Sequence, residues 1–362
     1  MPFYPRSPGV RIKFVQEFLG YTGSDSHLRA VLNDVQLAEG KELDRGKRVY
    51  TPAQIRNARW RLMKLKAEPR RKNKSLPRVI VARMTKGGVG KTAISANVAA
   101  TLSMMGLRVL LIDADPQASA TIMLGVDWTT EPITHLGDLL HSVEARRKAQ
   151  IEDAVREIYT GGMLDLIPSN ITLANVDSWL VTITNRERIF HRLLADNAEF
   201  FSKYDAIVVD SAPGASLLAN SLMYVSGLMQ EPLLTVAWLD GQSIKAMDVL
   251  AADVAKFNDS FRDGANEKGF DLRVHIVANG YHSNYNTSKD AIAILKQQYE
   301  SILDDNIVPY SSAFMRQVDL RDVEKTAPVI EREPNSTSAR AIIDLTKSLI
   351  RLYDIDFGGE KL

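Results

Sequence analysis

The sequence predicts an α/β protein: a doubly wound, mostly parallel sheet preceded by a small winged helix-turn-helix domain. Three observations carry this reading. From residue 78 onward, apolar strand patterns alternate with longer helical ones, the rhythm of a parallel sheet covered on both faces. Between the first of these strands and the first long helix lies a glycine-rich run, Lys86-Gly87-Gly88-Val89-Gly90-Lys91-Thr92. The charge is also split. Residues 1–78 hold 18 Lys/Arg and 7 Asp/Glu, a net of +11, against −10 for residues 79–362. Such a split points to a basic module that meets nucleic acid or a membrane surface.

The chain divides into residues 1–66, a basic linker at 67–77 and residues 78–362. In the first part, Arg11–Leu19 reads as a short amphipathic helix. Ser24 or Asp25 would cap a second helix over Ser26–Asn33. Val35–Tyr50 carries Gly40, Gly46 and many charges, which suits a hairpin-like wing. Thr51 caps a third helix with Pro52 in its first turn and Ile55, Ala58, Leu62 and Leu65 on one face. Helix, turn, helix, wing, helix is the order of a winged helix-turn-helix. Ala67–Pro77, with two prolines and four basic residues, reads as the linker.

Strands are expected at Arg78–Arg83, Arg108–Ile112, Leu164–Ile167, Ala206–Val209, Leu233–Leu239, Arg273–Ala278 and Asn306–Val308. Several are uninterrupted apolar runs, as strands buried on both faces should be. Helices are expected at Thr92–Met105, Asn185–Ala195, Ile244–Phe257, Lys289–Leu303 and Ser338–Tyr353.

Composition removes several classes of function. The 362 residues are 45% hydrophobic and contain no cysteine. That excludes disulfides, a thiolate nucleophile, Cys-ligated zinc and iron–sulfur clusters. The six histidines show no metal-ligand spacing. No run approaches the roughly 18 apolar residues of a membrane span, and residues 1–20 hold no apolar secretory core. A cytoplasmic location is the expectation.

The glycine-rich run has the order strand, loop, helix that a phosphate loop requires. Glycines let backbone N–H groups close around phosphate oxygens. Lys91 would reach the β- and γ-phosphates of a nucleotide, and the Thr92 hydroxyl would coordinate Mg²⁺. The helix that Thr92 begins, with Ala93 behind it, points its positive end at the anion. The usual pattern has a glycine where Thr85 stands here. Asp113 and Asp115 end the second strand, at the carboxyl edge where α/β sheets place their ligands. Asp210 ends the strand Ala206–Val209 and would meet Mg²⁺-bound water.

With Lys86 opening the loop and Asp113-Ala114-Asp115-Pro116-Gln117 following, the chain resembles the deviant Walker A ATPases of the ParA type, which partition plasmids and chromosomes. The resemblance is strong over 79–215. His27-Leu28-Arg29, Lys47 to Ile55 and Arg156 to Asn175 extend it to the larger subgroup with an N-terminal DNA-binding module, similar to plasmid RepA/ParA proteins. It implies a P-loop domain that binds ATP and Mg²⁺, dimerises with ATP, binds DNA nonspecifically and hydrolyses ATP when a ParB-like centromere-binding protein stimulates it. It further implies a nucleoid-associated homodimer that represses its own operon.

Residue by residue, the resemblance makes Lys86 a cation delivered across the dimer to the partner's phosphates, alongside Lys91. Asp113 would help hold the magnesium water shell, and Asp115 would position the attacking water. Asn279 and Pro309 would lie against adenine. One proline of the pair usual after the Walker B acid is Ala212 here. Arg29 would face a major groove, and Lys47 and Arg48 on the wing would meet phosphates, as would Arg56, Arg59, Arg61 and Lys64. Arg316, Arg321 and Lys325 lie where the family places sequence-independent DNA contacts. A nucleotide-responsive repressor with little turnover is the alternative. A membrane-bound regulator like MinD would need a basic amphipathic C-terminal helix, and residues 353–362 are acidic and glycine-bearing.

Overall fold

The computed structural model describes residues 4–33, 43–44, 47–71, 75–130, 132–264, 267, 269–319 and 326–361. Among the described residues ten strands fall into two sheets. The hairpin β1 (Leu43–Asp44) and β2 (Lys47–Arg48) is antiparallel. The large sheet uses β3 (Arg78–Ala82), β4 (Val109–Ala114), β5 (Arg156–Tyr159), β6 (Leu164–Ile167), β7 (Ala206–Ser211), β8 (Leu233–Trp238), β9 (Val274–Tyr281) and β10 (Val308–Pro309). Their order is β10-β9-β8-β3-β7-β4-β6-β5, and only β5 runs antiparallel to its neighbour. The mostly parallel, doubly wound sheet expected from the sequence is thus present, with one strand more at its edge.

The central strands form because they are uninterrupted runs of β-branched and other apolar residues. β4, β6 and β7 are buried at every position, which suits strands covered by helices on both faces. Register then fixes the chemistry. Asp113 on β4 stands opposite Asp210 on β7, and Asp210 stands opposite Ala82 on β3. Three strand ends therefore converge at one point of the carboxyl edge, where the phosphate loop begins.

Residues 1–66 supply α1 (Ile12–Leu19), α2 (Asp25–Asn33) and α3 (Pro52–Leu62), with the β1–β2 hairpin between α2 and α3. Thr51 caps α3 in a full capping box with Gln54, and Pro52 sits in its first turn. Residues 35–42, 45 and 46 of the expected wing lie outside the described residues. These helices bury Val15, Phe18, Leu28, Ile55 and Ala58 in the same core as α4 (Lys91–Met104).

That packing corrects two expectations. Arg56 and Arg59 do not face outward toward phosphates. Arg56 is 4% exposed, donates to the Asp205 carboxylate, to Glu68 and to the Gly106 carbonyl, and lies over the Phe357 ring. Arg59 donates to the carbonyls of Phe18 and Met105 at 2.8 and 2.7 Å, and burial brings its pKa down to about 10. Arg56 clasps α3 to the start of β7, and Arg59 clasps it to the ends of α1 and α4. Nor do residues 67–77 act only as a tether. Arg71 makes a two-pronged pair with Asp356 at 2.6 and 3.0 Å and donates to the Tyr204 and Asp205 carbonyls. Arg71 thus finds carbonyls and an acid that are distant in sequence, which local composition does not reveal.

Candidate nucleotide site

The phosphate loop leaves β3 and enters α4. Gly88 and Gly90 have φ of +73° and +90°, the left-handed region open mainly to glycine. Gly90 is the N-cap of α4 and offers no side-chain cap, so the first-turn N–H groups remain for an anion. Asn279 braces the loop by donating to the Val89 carbonyl at 2.9 Å. Thr85, in the place of the usual glycine, turns its hydroxyl to the Ala246 carbonyl at 3.3 Å.

Around the loop opens a cavity of about 520 Å³, in the range of small-molecule sites. Gly87, Gly88, Gly90, Lys91, Thr92, Ala93, Asp115, Asn279 and Pro309 all line it. Val89 is buried behind the loop. Sequence reasoning missed the apolar wall, which includes Trp238, Tyr310, Phe314 and Met315. Trp238 and Tyr310 meet edge to face at 6.2 Å. No local motif announces this wall, because the end of β8 and the segment after β10, about 70 residues apart, assemble it.

The acids differ in role. Asp210 is fully buried, accepts from Ser95 at 3.1 Å and from the Thr92 hydroxyl, and keeps its Oδ2 without a partner. Burial raises its pKa, and Thr92 and Lys91 oppose the rise. Burial likewise depresses the Lys91 ammonium, against the pull of Asp210 and Asp115. A buried lysine and a buried carboxylate with an unused oxygen are the groups that a phosphate and a hydrated cation would satisfy. Among the described residues no cluster of three or more acids and histidines forms a metal cage. Mg²⁺ is ordinarily held by one or two protein oxygens, phosphates and water.

Asp113 is one step removed. Its Oδ2 accepts the Thr121 N–H and hydroxyl at 2.9 and 2.7 Å, and its Oδ1 accepts the Asp115 N–H. It does not line the cavity, and burial together with Asp210 raises its pKa. Asp113, expected to help hold the magnesium water shell, thus has Thr121 on one carboxylate oxygen and the Asp115 N–H on the other. Asp115 is 8% exposed and sits on the cavity wall, with its Oδ1 fixed by the Gln117 N–H at 2.9 Å.

Lys86 lies outside the cavity lining. It donates to Asp240 and to Ser243 within its own chain.

Of the residues expected to meet DNA, Arg29 is half-buried on α2, and Arg48 lies over the Tyr50 ring. Lys47 lies on β2. Arg316 is exposed, but Glu333 pairs with it through two bonds and Ser312 accepts a third. Arg321 and Lys325 lie outside the described residues.

A glycine-lined cradle at the carboxyl edge of a parallel sheet, with a lysine and a magnesium-type acid converging on it, defines a P-loop ATPase. Comparison with known proteins narrows the class. The family described as "AAA domain" matches residues 77–262, and the chain belongs to it as a ParA-type partition ATPase. It is 28% identical over 258 residues to the cell division protein PomZ of Myxococcus xanthus, covering 71% of this chain and 73% of that one. It is 27% identical over 274 residues to the sporulation initiation inhibitor protein Soj of Bacillus subtilis, covering 75% and 98%. Among solved structures, a Cyanothece McdA(D38A)–ATP complex shares the fold with a TM-score of 0.61 at 17% identity, covering 78% and 98%. Among the described residues no helix is long and apolar enough to cross a membrane.

Proposed function

We propose that this ATPase partitions DNA, a plasmid or chromosome, through a dimer that forms with ATP and binds DNA nonspecifically. Lys91 and the loop N–H groups hold the phosphates, and Thr92 and Asp210 hold Mg²⁺. Asp113 helps hold the magnesium water shell, and Asp115 orients the attacking water. Asn279 and Pro309 flank the base. Lys86 crosses to the second subunit, where its charge offsets the charge developing on the phosphate. A ParB-like centromere-binding protein stimulates turnover. Residues 1–66 read operator DNA as a winged helix, through Arg29, Lys47 and Arg48, and repress the operon. Arg321 and Lys325 contribute to nonspecific contacts, and the protein works in the cytoplasm on the nucleoid.

The observation that carries this reading is the position of Lys86. It stands beside the phosphate loop yet outside the cavity of its own chain, where a cation meant for another subunit belongs. Sedimentation with ATP, ADP and no nucleotide tests it, together with phosphate release with and without random DNA. A protein that stays monomeric with ATP and ignores DNA would sink the partition reading. A dimer that binds promoter DNA with negligible turnover would favour the repressor.

A further inference from the structure

Arg83 directly follows β3, two residues before Thr85, and is 1% exposed. No described acid lies within ion-pairing distance of it. Asp253, on the helix Gly241–Asn258, offsets its charge from farther off, while burial depresses its pKa. A buried cation without a contact carboxylate is costly unless its hydrogen bonds are well placed.

Those bonds go to main chain on two sides of the phosphate mouth. Nη1 donates to the Met84 carbonyl at 3.1 Å and Nη2 to the Gly214 carbonyl at 2.6 Å. The Gly214 N–H in turn donates to the Thr85 carbonyl at 2.9 Å. Both polar groups of Gly214, whose φ is +80°, are thus tied to the entry of the phosphate loop. Its neighbour Pro213 lines the nucleotide cavity, and Asp210 begins the same segment. The third donor of Arg83, Nε, is buried without a partner. Behind the guanidinium lies a cleft of about 430 Å³ lined by Ala215, Asn220, Asp253, Lys256 and Phe257, among others.

We propose that Arg83 is a positioning residue for hydrolysis: its guanidinium fork holds the Pro213–Gly214 segment against the phosphate-loop entry, so that this segment stands ready to meet a γ-phosphate. A planar fork can bridge two carbonyls at fixed separation, which a lysine cannot do. The segment carries one proline where ParA-type chains usually have two. Arg83 supplies from outside a rigidity that the missing proline would have built into the backbone. ADP, which lacks the γ-phosphate, should be indifferent to the fork.

The test uses the full chain with Arg83→Met and Arg83→Lys. ADP affinity by calorimetry should stay within about threefold of wild type, while kcat falls about ten- to hundredfold, the range for losing bonds from a charged donor. KM for ATP should move less than kcat. Amide exchange over residues 212–216, measured with a nonhydrolysable ATP analogue, should accelerate in both variants. Arg83→Lys should show the same split in milder form. Should Arg83→Met fail to fold, Arg83→Lys decides. Wild-type kcat in either folded variant overturns the proposal, and so does an equal loss of ADP affinity and kcat, which would mark a general disturbance of the pocket. A wild-type protein that binds no ADP would instead refute the nucleotide site on which the proposal rests.

Discussion

Lys86 Nζ lies 2.8 Å from Asp240 Oδ2 and 2.9 Å from Asp240 Oδ1 of its own chain. Asp240 also caps the helix Gly241–Asn258 by accepting the Ser243 N–H at 2.7 Å. Against the upward push of partial burial, the Lys86 and Ser243 bonds hold its carboxyl below the ordinary range. A lysine proposed to serve a partner is therefore held at home, and dimerisation must break this pair.

Asp240→Asn keeps an acceptor for the cap and removes the charge that detains Lys86. The pair is partly exposed, at 23% and 41%, so its worth is about 1 kcal/mol at most. The protein concentration at half-dimerisation with ATP should fall by about two- to fivefold. Lys86→Ala should give no ATP-dependent dimer. Sedimentation velocity reads both. An unchanged midpoint in Asp240→Asn would show that the home pair does not compete with dimerisation.

Asp115→Ala should separate binding from chemistry. Asp115 lines the cavity, while Lys91, Thr92 and Asp210 remain to hold nucleotide and cation. ATP affinity should hold within about threefold and kcat should fall by about a hundredfold, the scale of a lost proton-handling group. Calorimetry and phosphate release are the measurements. Undiminished turnover removes Asp115 from the reaction.

Arg56→Ala should reduce stability and leave DNA affinity alone. It strands Asp205, which is 1% exposed, and a broken buried pair costs about 3–5 kcal/mol. Urea unfolding reads the loss. Gel shifts with random DNA on the folded fraction should match wild type. If DNA binding falls while stability holds, Arg56 is a phosphate contact after all.

Glu231 gives a pH dependence. It is 3% exposed and accepts the Val79 N–H at 2.8 Å, and burial pushes its pKa from 4.5 to about 7. Between those values the folded chain binds more protons than the unfolded one. Its contribution to stability therefore declines as pH rises from 4.5 toward 7, and above that the full penalty of a buried charge remains. Glu231→Gln removes the penalty. Its melting temperature should exceed wild type by about 3 °C or more at pH 8 and by less at pH 5. Equal shifts at both values would show that the carboxyl is not titrating.

Much of this was legible beforehand because it is local. The phosphate loop, its lysine and threonine, and the capping of α3 by Thr51 depend on residues a few positions apart. The central strands announce themselves as apolar runs. β5 escapes a sequence reading because only Ile158 and Tyr159 of Arg-Glu-Ile-Tyr are buried, and four residues give too little pattern. The helix expected at Asn185–Ala195 begins instead as a short 3₁₀ turn, Arg186–Arg188, before Ile189–Asp196. Charged residues were the hardest to place. Arg29 and Arg56 look alike in sequence, yet the partner of Arg56 lies 149 residues away. Likewise nothing near Asp113 says that Thr121 will take its oxygen. Composition counts charges, and only the fold decides which of them face water.

The clasp around Asp205 also sets a timetable. Its carboxylate accepts Arg56, the Arg108 N–H at 2.8 Å and the Gly358 N–H at 2.8 Å, with Phe357 beneath the Arg56 guanidinium. During synthesis α3 leaves the ribosome long before Asp205, and Phe357 follows later still. Until then Arg56 has Glu68 and the Gly106 carbonyl but lacks its buried carboxylate and the ring beneath it. A ribosome that pauses between residues 62 and 205 would therefore hold out an incomplete module. The separation of these contacts along the chain makes this joint a slow, late step of folding, closed only when the turn at Phe357 and Gly358 reaches the third helix.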